Sequence, residues 1–152
     1  MAESERMAKS RRLSGGCLCG AVRYTAVAAK PEMDVCHCRM CQRWSGGVFM
    51  SVPAGDLAVE DETQLGSYDS SDWAKRQFCR NCGTSLFWRL RDNDAHVAVA
   101  FQSLDDTSSF TFVEEIFIDE KPPLYAFAGE RPRLTGKEVW ARFEAQQESG
   151  HE

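Results

Sequence analysis

The chain has 152 residues, 43% hydrophobic and 27% charged, with a formal net charge of −5. That is enough for one domain with its own core, and an acidic chain without a basic block makes a poor partner for nucleic acid. No apolar run approaches the roughly 20 residues of a membrane span, and MAESERMAKSRR holds no apolar stretch of the kind a signal peptide needs, so the expected setting is the cytoplasm.

In chain order, residues 1–13 read as a disordered polar tail, with Lys9, Arg11 and Arg12 in a solvated segment. Ser14-Gly15-Gly16 reads as a turn that delivers Cys17 and Cys19. Gly20 to Val27 alternates as a strand, and Met33 to Cys36 as a short one. Cys38 to Trp44 reads as about one helical turn, closed by Ser45-Gly46-Gly47. Val48, Met50 and Val52 alternate toward Pro53, which is expected to end that strand. Weaker strands follow at Leu57–Glu60 and Gln64–Tyr68. Trp73–Cys79 and Leu86–Leu90 flank a C-x-x-C-G turn, as the two arms of a hairpin would. His96–Phe101 is a further strand. Phe110–Ile118 is aromatic and β-branched, with Glu114 and Glu115 interrupting it and Pro122-Pro123 stopping it. Residues 136–152 read as a C-terminal helix, through Val139, Trp140 and Phe143, with a frayed tail. The pattern predicts a mainly β, antiparallel fold over a single body at residues 14–135.

Seven cysteines in three tight clusters carry the chemistry: Cys17-Leu18-Cys19, Cys36-His37-Cys38-Arg39-Met40-Cys41 and Cys79-Arg80-Asn81-Cys82. Thiolates this close converge on one ion, and tetrahedral zinc is the usual occupant. An odd count and C-x-x-C pairs favour reduced, metal-binding thiols over a disulfide framework. Seven is one short of two closed four-cysteine sites. Cys17, Cys19, Cys79 and Cys82 make a closed structural site. Cys36, Cys38 and Cys41 make a three-thiolate site with a position open to water or substrate, the pattern of a catalytic zinc. A four-cysteine site mixing the second and third clusters is the competing division, and His37 or a distant residue is a candidate fourth ligand.

His37 sits between two ligands in an extended segment, so alternation turns it away from the ion, toward a structural, hydrogen-bonding or acid–base role. His96 reads as a sheet histidine, and His151 lies in the terminal tail. Trp44 follows the three-cysteine loop and can wall a pocket. Arg39 and Arg43 in the same loop are either a solvated face or a clamp for a carboxylate.

Four motifs occur in order: G-G-C-L-C-G (15–20), C-H-C-R-M-C-Q-R-W-S-G-G (36–47), F-C-R-N-C-G-T-S-L-F (78–87) and E-E-I-F-I-D-E-K-P-P (114–123). Together they resemble the glutathione-dependent formaldehyde-activating family, which includes the centromere protein V type, across residues 14 to 135. The resemblance implies a zinc-bearing β-tent fold and carbon–sulfur lyase chemistry, the making of S-(hydroxymethyl)glutathione from glutathione and formaldehyde. It implies a structural zinc on Cys17, Cys19, Cys79 and Cys82 and a catalytic zinc on Cys36, Cys38 and Cys41. The chain departs from the family at Glu115-Ile116-Phe117, where His-Ile-Phe is frequent, and at Leu124, where Trp is frequent.

The expected function is therefore that of a lyase with two zinc ions, acting on a small thiol such as glutathione in formaldehyde detoxification. The competing expectation is a non-catalytic zinc module that binds a protein partner. The sequence does not indicate an oligomeric state.

Overall fold

The structure is a computed structural model that describes residues 11–149, with side chains described through Gln146. Ten strands and two helices follow in chain order: β1 (Arg11–Gly16), β2 (Arg23–Ala28), β3 (Glu32–Cys36), α1 (Arg39–Ser45), β4 (Phe49–Val59), β5 (Leu65–Asp69), β6 (Ala74–Cys79), β7 (Ser85–Leu90), β8 (Val97–Ala100), β9 (Thr111–Ile116), β10 (Arg133–Leu134) and α2 (Gly136–Ser149). The fold is mainly β, as the alternating segments predict.

The chain forms two compact units. One comprises the described residues up to Met33 together with Met50–Thr111; the other comprises Asp34–Phe49 with the residues from Phe112 onward. The first strand begins at Arg11, within the segment expected to be a polar tail. Residues 1–10 of the expected tail lie outside the described residues, as do residues 150–152 and His151.

In the first unit, every strand pairing is antiparallel: β1 with β2, β2 with β4, β4 with β8, β8 with β7, β7 with β6 and β6 with β5. Val22, Val52, Leu86, Phe87 and Val99 are fully buried between them, and Tyr24 meets Phe87 edge-on with ring centroids 4.8 Å apart. Burial of each large apolar side chain contributes about 1.5–3 kcal/mol. Ser14-Gly15-Gly16 is not a turn but the end of β1, paired with Thr25, Tyr24 and Arg23. Gly15 is required by close approach, because a Cβ there would lie 2.4 Å from the Ser103 carbonyl and 2.5 Å from the Tyr24 hydroxyl. Pro53 does not end β4; it stays in the strand opposite Ala98, and β4 runs on to Val59, absorbing the Leu57–Glu60 segment.

In the second unit, β9 lies between β3 and the two-residue β10. The β9–β10 pair is parallel, Glu115 opposite Arg133 and Ile116 opposite Leu134, which the expectation of antiparallel pairing missed. Glu114 and Glu115 do not interrupt β9 but belong to it. Helix α1 ends at Gly46, whose φ of 78° closes it in the left-handed region. Helix α2 starts on a reciprocal cap: the Thr135 hydroxyl accepts from Glu138 N at 3.2 Å, and the Glu138 carboxylate accepts from Thr135 N at 2.9 Å. No helix among the described residues is long and apolar enough to cross a membrane.

Candidate metal centres

The first centre is built at two turns of the first unit. The turn after β1 presents Cys17 and Cys19, and the β6–β7 hairpin tip presents Cys79 and Cys82, so residues some 60 positions apart meet. All four sulfurs lie within 4.8 Å of one another, with Cys17 Sγ 3.6 Å from Cys19 Sγ and Cys19 Sγ 3.8 Å from Cys79 Sγ. Backbone N–H groups point at them. Val22 N donates to Cys17 Sγ at 3.2 Å, while Asn81 N and Cys82 N donate to Cys79 Sγ at 3.3 and 3.4 Å. The Asn81 amide donates to Cys19 Sγ at 3.2 Å. Such donors favour the thiolate. The Thr84 hydroxyl and backbone draw the Cys82 thiol down to about 5. Burial pushes Cys17 up, but the Val22 N–H and the neighbouring thiols Cys79 and Cys19 outweigh it and leave it lowered. Four converging sulfurs, two of them already biased toward thiolate, are a donor set that fits tetrahedral zinc.

The second centre lies in the second unit. Strand β3 ends at Cys36, Cys38 stands at the N-cap of α1, and Cys41 is buried in its first turn. Cys36 and Cys38 are half-buried. The three sulfurs lie within 4.8 Å of one another, and among the described residues no fourth Cys, His, Asp or Glu joins them. Hydrogen bonds with Cys38 and then Cys41, together with burial, push the Cys36 thiol well above its ordinary value. Thiols so crowded hold a proton among themselves until a cation replaces it, so this set also fits a divalent ion. The competing division, mixing the second and third clusters, does not occur: the sulfurs sort as two separate groups.

His37 is not a ligand of this group. It is fully buried and turned to Glu115, with Nε2 2.8 Å from Oε1. Arg39 and Arg43 are both exposed on α1, and neither side chain makes an ion pair among the described residues. Trp44 packs edge-on against Phe49, with ring centroids 5.0 Å apart. His96 is exposed and immediately precedes β8, beside Trp88.

The residues to which sequence reading assigned no role are Gln42, Glu115, Arg131 and Arg133. Glu115 is 1% exposed and receives Arg131 Nη1 at 2.8 Å and Arg133 Nε at 3.0 Å. Burial pushes its carboxyl up, yet His37, Arg131 and Arg133 outweigh burial and hold it below the ordinary carboxylate value. The available signal was alternation in β9, which puts Glu115 and Glu114 on opposite faces.

Comparison with known proteins gives four findings. The family model described as glutathione-dependent formaldehyde-activating enzyme matches residues 12–120. A Schizosaccharomyces pombe protein described as an uncharacterized lyase is 32% identical over 126 residues, covering 82% of this chain and 92% of that one. A Halomonas elongata protein, provisionally named a glutathione-dependent formaldehyde-activating enzyme, is 29% identical over 85 residues, covering 49% of this chain and 54% of that one. Among solved structures, the crystal structure of a Rhodobacter sphaeroides protein superposes with a TM-score of 0.55 at 24% identity, covering 80% of this chain and 99% of that chain, a likeness of fold.

Proposed function

The chain belongs to the glutathione-dependent formaldehyde-activating enzyme family, and from that premise we propose that it is a zinc-dependent carbon–sulfur lyase acting on a small thiol, with the reaction S-(hydroxymethyl)glutathione formation or its reverse. The single observation that carries this reading is the three-sulfur group of Cys36, Cys38 and Cys41, one donor short of the four that a closed structural zinc takes.

In this reading Cys17, Cys19, Cys79 and Cys82 hold a structural zinc, and Cys36, Cys38 and Cys41 hold the reactive one. Zinc bound to those three cysteines would supply a soft Lewis acid that favours the deprotonated form of an arriving thiol. The chain's own part is orientation. Arg39 and Arg43, exposed on α1 and without ion pairs among the described residues, suit the carboxylates of a glutathione-like peptide. Trp44, held edge-on by Phe49, offers an apolar wall beside the same helix. In the reaction the thiol sulfur bonds to the formaldehyde carbon, and the proton lost from sulfur ends on the former carbonyl oxygen, with no net oxidation. Holding both reactants in one geometry supplies much of the acceleration. Two zinc sites of free thiols fit a reducing compartment such as the cytoplasm.

X-ray absorption at the zinc edge tests this reading. The mean number of sulfurs per zinc is expected to rise when glutathione is added to the zinc-loaded protein. A count of four without thiol, unchanged on addition, would make both sites structural and leave a non-catalytic zinc module.

A further inference from the structure

The loop that carries the three cysteines is stapled to the segment Glu115–Glu120 at four points, one of them a fully buried imidazole–carboxylate hydrogen bond. His37 Nε2 lies 2.8 Å from Glu115 Oε1, with His37 fully buried and Glu115 1% exposed. The other carboxylate oxygen of Glu115 is held by Arg131 and Arg133. The Arg131 guanidinium in turn lies 3.9 Å from the centroid of the Phe112 ring. His37 N donates to Ile116 O at 3.0 Å. Gln42 Nε2 donates to His37 O at 2.6 Å and to Glu120 O at 3.0 Å. Arg39 N donates to Glu120 Oε1 at 3.2 Å.

We propose that Glu115, clamped by Arg131 and Arg133, is a positioning residue that acts through His37 to set the aim of Cys36 and Cys38. In an extended segment neighbouring side chains project to opposite sides. Fixing the His37 ring on one side therefore fixes the rotation of the backbone that turns Cys36 and Cys38 toward the other. Two charges from the C-terminal segment hold the carboxylate at both edges of one oxygen, so the ring has one orientation rather than several. Arg131 and Arg133 lie beyond the residues 12–120 that the family model matches. The positioning role rests on the reading that Cys36, Cys38 and Cys41 hold zinc.

The test is zinc release from the intact loaded protein to a chromogenic chelator, in which the closed four-cysteine site serves as an internal control. Wild type should release one zinc quickly and one slowly. Glu115→Ala should accelerate the fast phase roughly 10–100-fold, the usual effect of losing a partner that orients a ligand shell, and leave the slow phase unchanged. With cobalt in place of zinc, the d–d absorption bands of the fast-exchanging ion should shift and broaden. His37→Ala should do the same, and the double variant should release zinc no faster than either single one, because both remove one pathway. Should Glu115→Ala fail to fold, Glu115→Gln carries the test: it still accepts from His37 but loses the ion pairs, and a smaller acceleration of several-fold is expected. A fast phase unchanged in a folded Glu115 variant would overturn the positioning role alone, as would single effects that simply multiply in the double variant. Wild-type protein with only one releasable zinc would instead overturn the reading of the three-cysteine site, and this proposal with it.

Discussion

The Tyr24 hydroxyl meets the Ser103 hydroxyl at 2.5 Å, and the pair closes over the backbone of Gly15. Strand β1 is thereby pressed against the segment following β8, with Gly15 bridged to Leu104. This contact holds the strand that leads into Cys17, so the four-cysteine group inherits its placement from a small, crowded junction.

Gly15→Ala should therefore destabilise the protein although the substitution adds a single methyl group. The new Cβ would meet backbone at Ser103 as well as the Tyr24 ring, and backbone has little room to give. A loss of about 2 kcal/mol is expected, typical of overpacking in a core. Urea midpoints of the zinc-loaded proteins measure it. Equal midpoints would mean that β1 shifts at no cost.

That junction also shows where the sequence stops being legible. A glycine pair reads the same whether it serves a turn or a close approach, and only the distant partners Tyr24 and Ser103 decide between them. The two cysteine groups were legible because their spacing is local: Cys36, Cys38 and Cys41 share one loop, and Cys17-x-Cys19 and Cys79-x-x-Cys82 each make one turn. Glu115 was misread for the opposite reason. Its partners His37, Arg131 and Arg133 lie 78, 16 and 18 positions away, and a charged residue inside an aromatic strand resembles an interruption until its partners are known. Strand β10 has only two residues, too few for any period to show. The Thr135–Glu138 cap was legible in principle, as Thr followed three residues later by Glu, but Gly136-Lys137 hid it.

Alkaline pH should weaken the fold through Tyr24. Burial raises its hydroxyl from the ordinary 10 to about 12. Below pH 10 both folded and unfolded chains hold this proton. Between 10 and 12 the unfolded chain has lost it and the folded chain has not, so stability falls as pH rises, by about 2–3 kcal/mol in all. Denaturant midpoints of wild type and Tyr24→Phe, compared at about pH 9 and about pH 11, isolate this contribution. The wild type should lose more than the variant, and parallel losses would remove Tyr24 from the account.

Cys79→Ser should be the most damaging of the single cysteine changes. Cys79 is buried, accepts two backbone N–H groups and joins the two turns that the first centre links. Structural zinc contributes on the order of 10 kcal/mol of coupled binding and folding, about as much as a whole domain's net stability. The variant should be largely unfolded and retain little zinc at the first centre. Unchanged melting together with full zinc content would show that Cys79 is not a ligand there.

Cys38→Ser should behave in the opposite way, and the reason lies in the local structure of α1. Cys38 Sγ accepts from Cys41 N at 3.3 Å, so this cysteine is both a candidate ligand and the cap of the helix that carries another. Serine is a good N-cap, so the substitution keeps the hydrogen bond to Cys41 N while removing the thiolate. The helix and the β body should survive, with close to one zinc per chain remaining at the four-cysteine centre, and thiol-dependent activity should be lost. Cys38→Ala removes the cap as well and should cost about 1 kcal/mol more in stability. Zinc content, melting and turnover of glutathione with formaldehyde are read on all three proteins. Turnover equal to wild type in Cys38→Ser would end the assignment of the reactive zinc to Cys36, Cys38 and Cys41. Global unfolding of that same variant would show the three-cysteine group to be a structural staple, like the first centre.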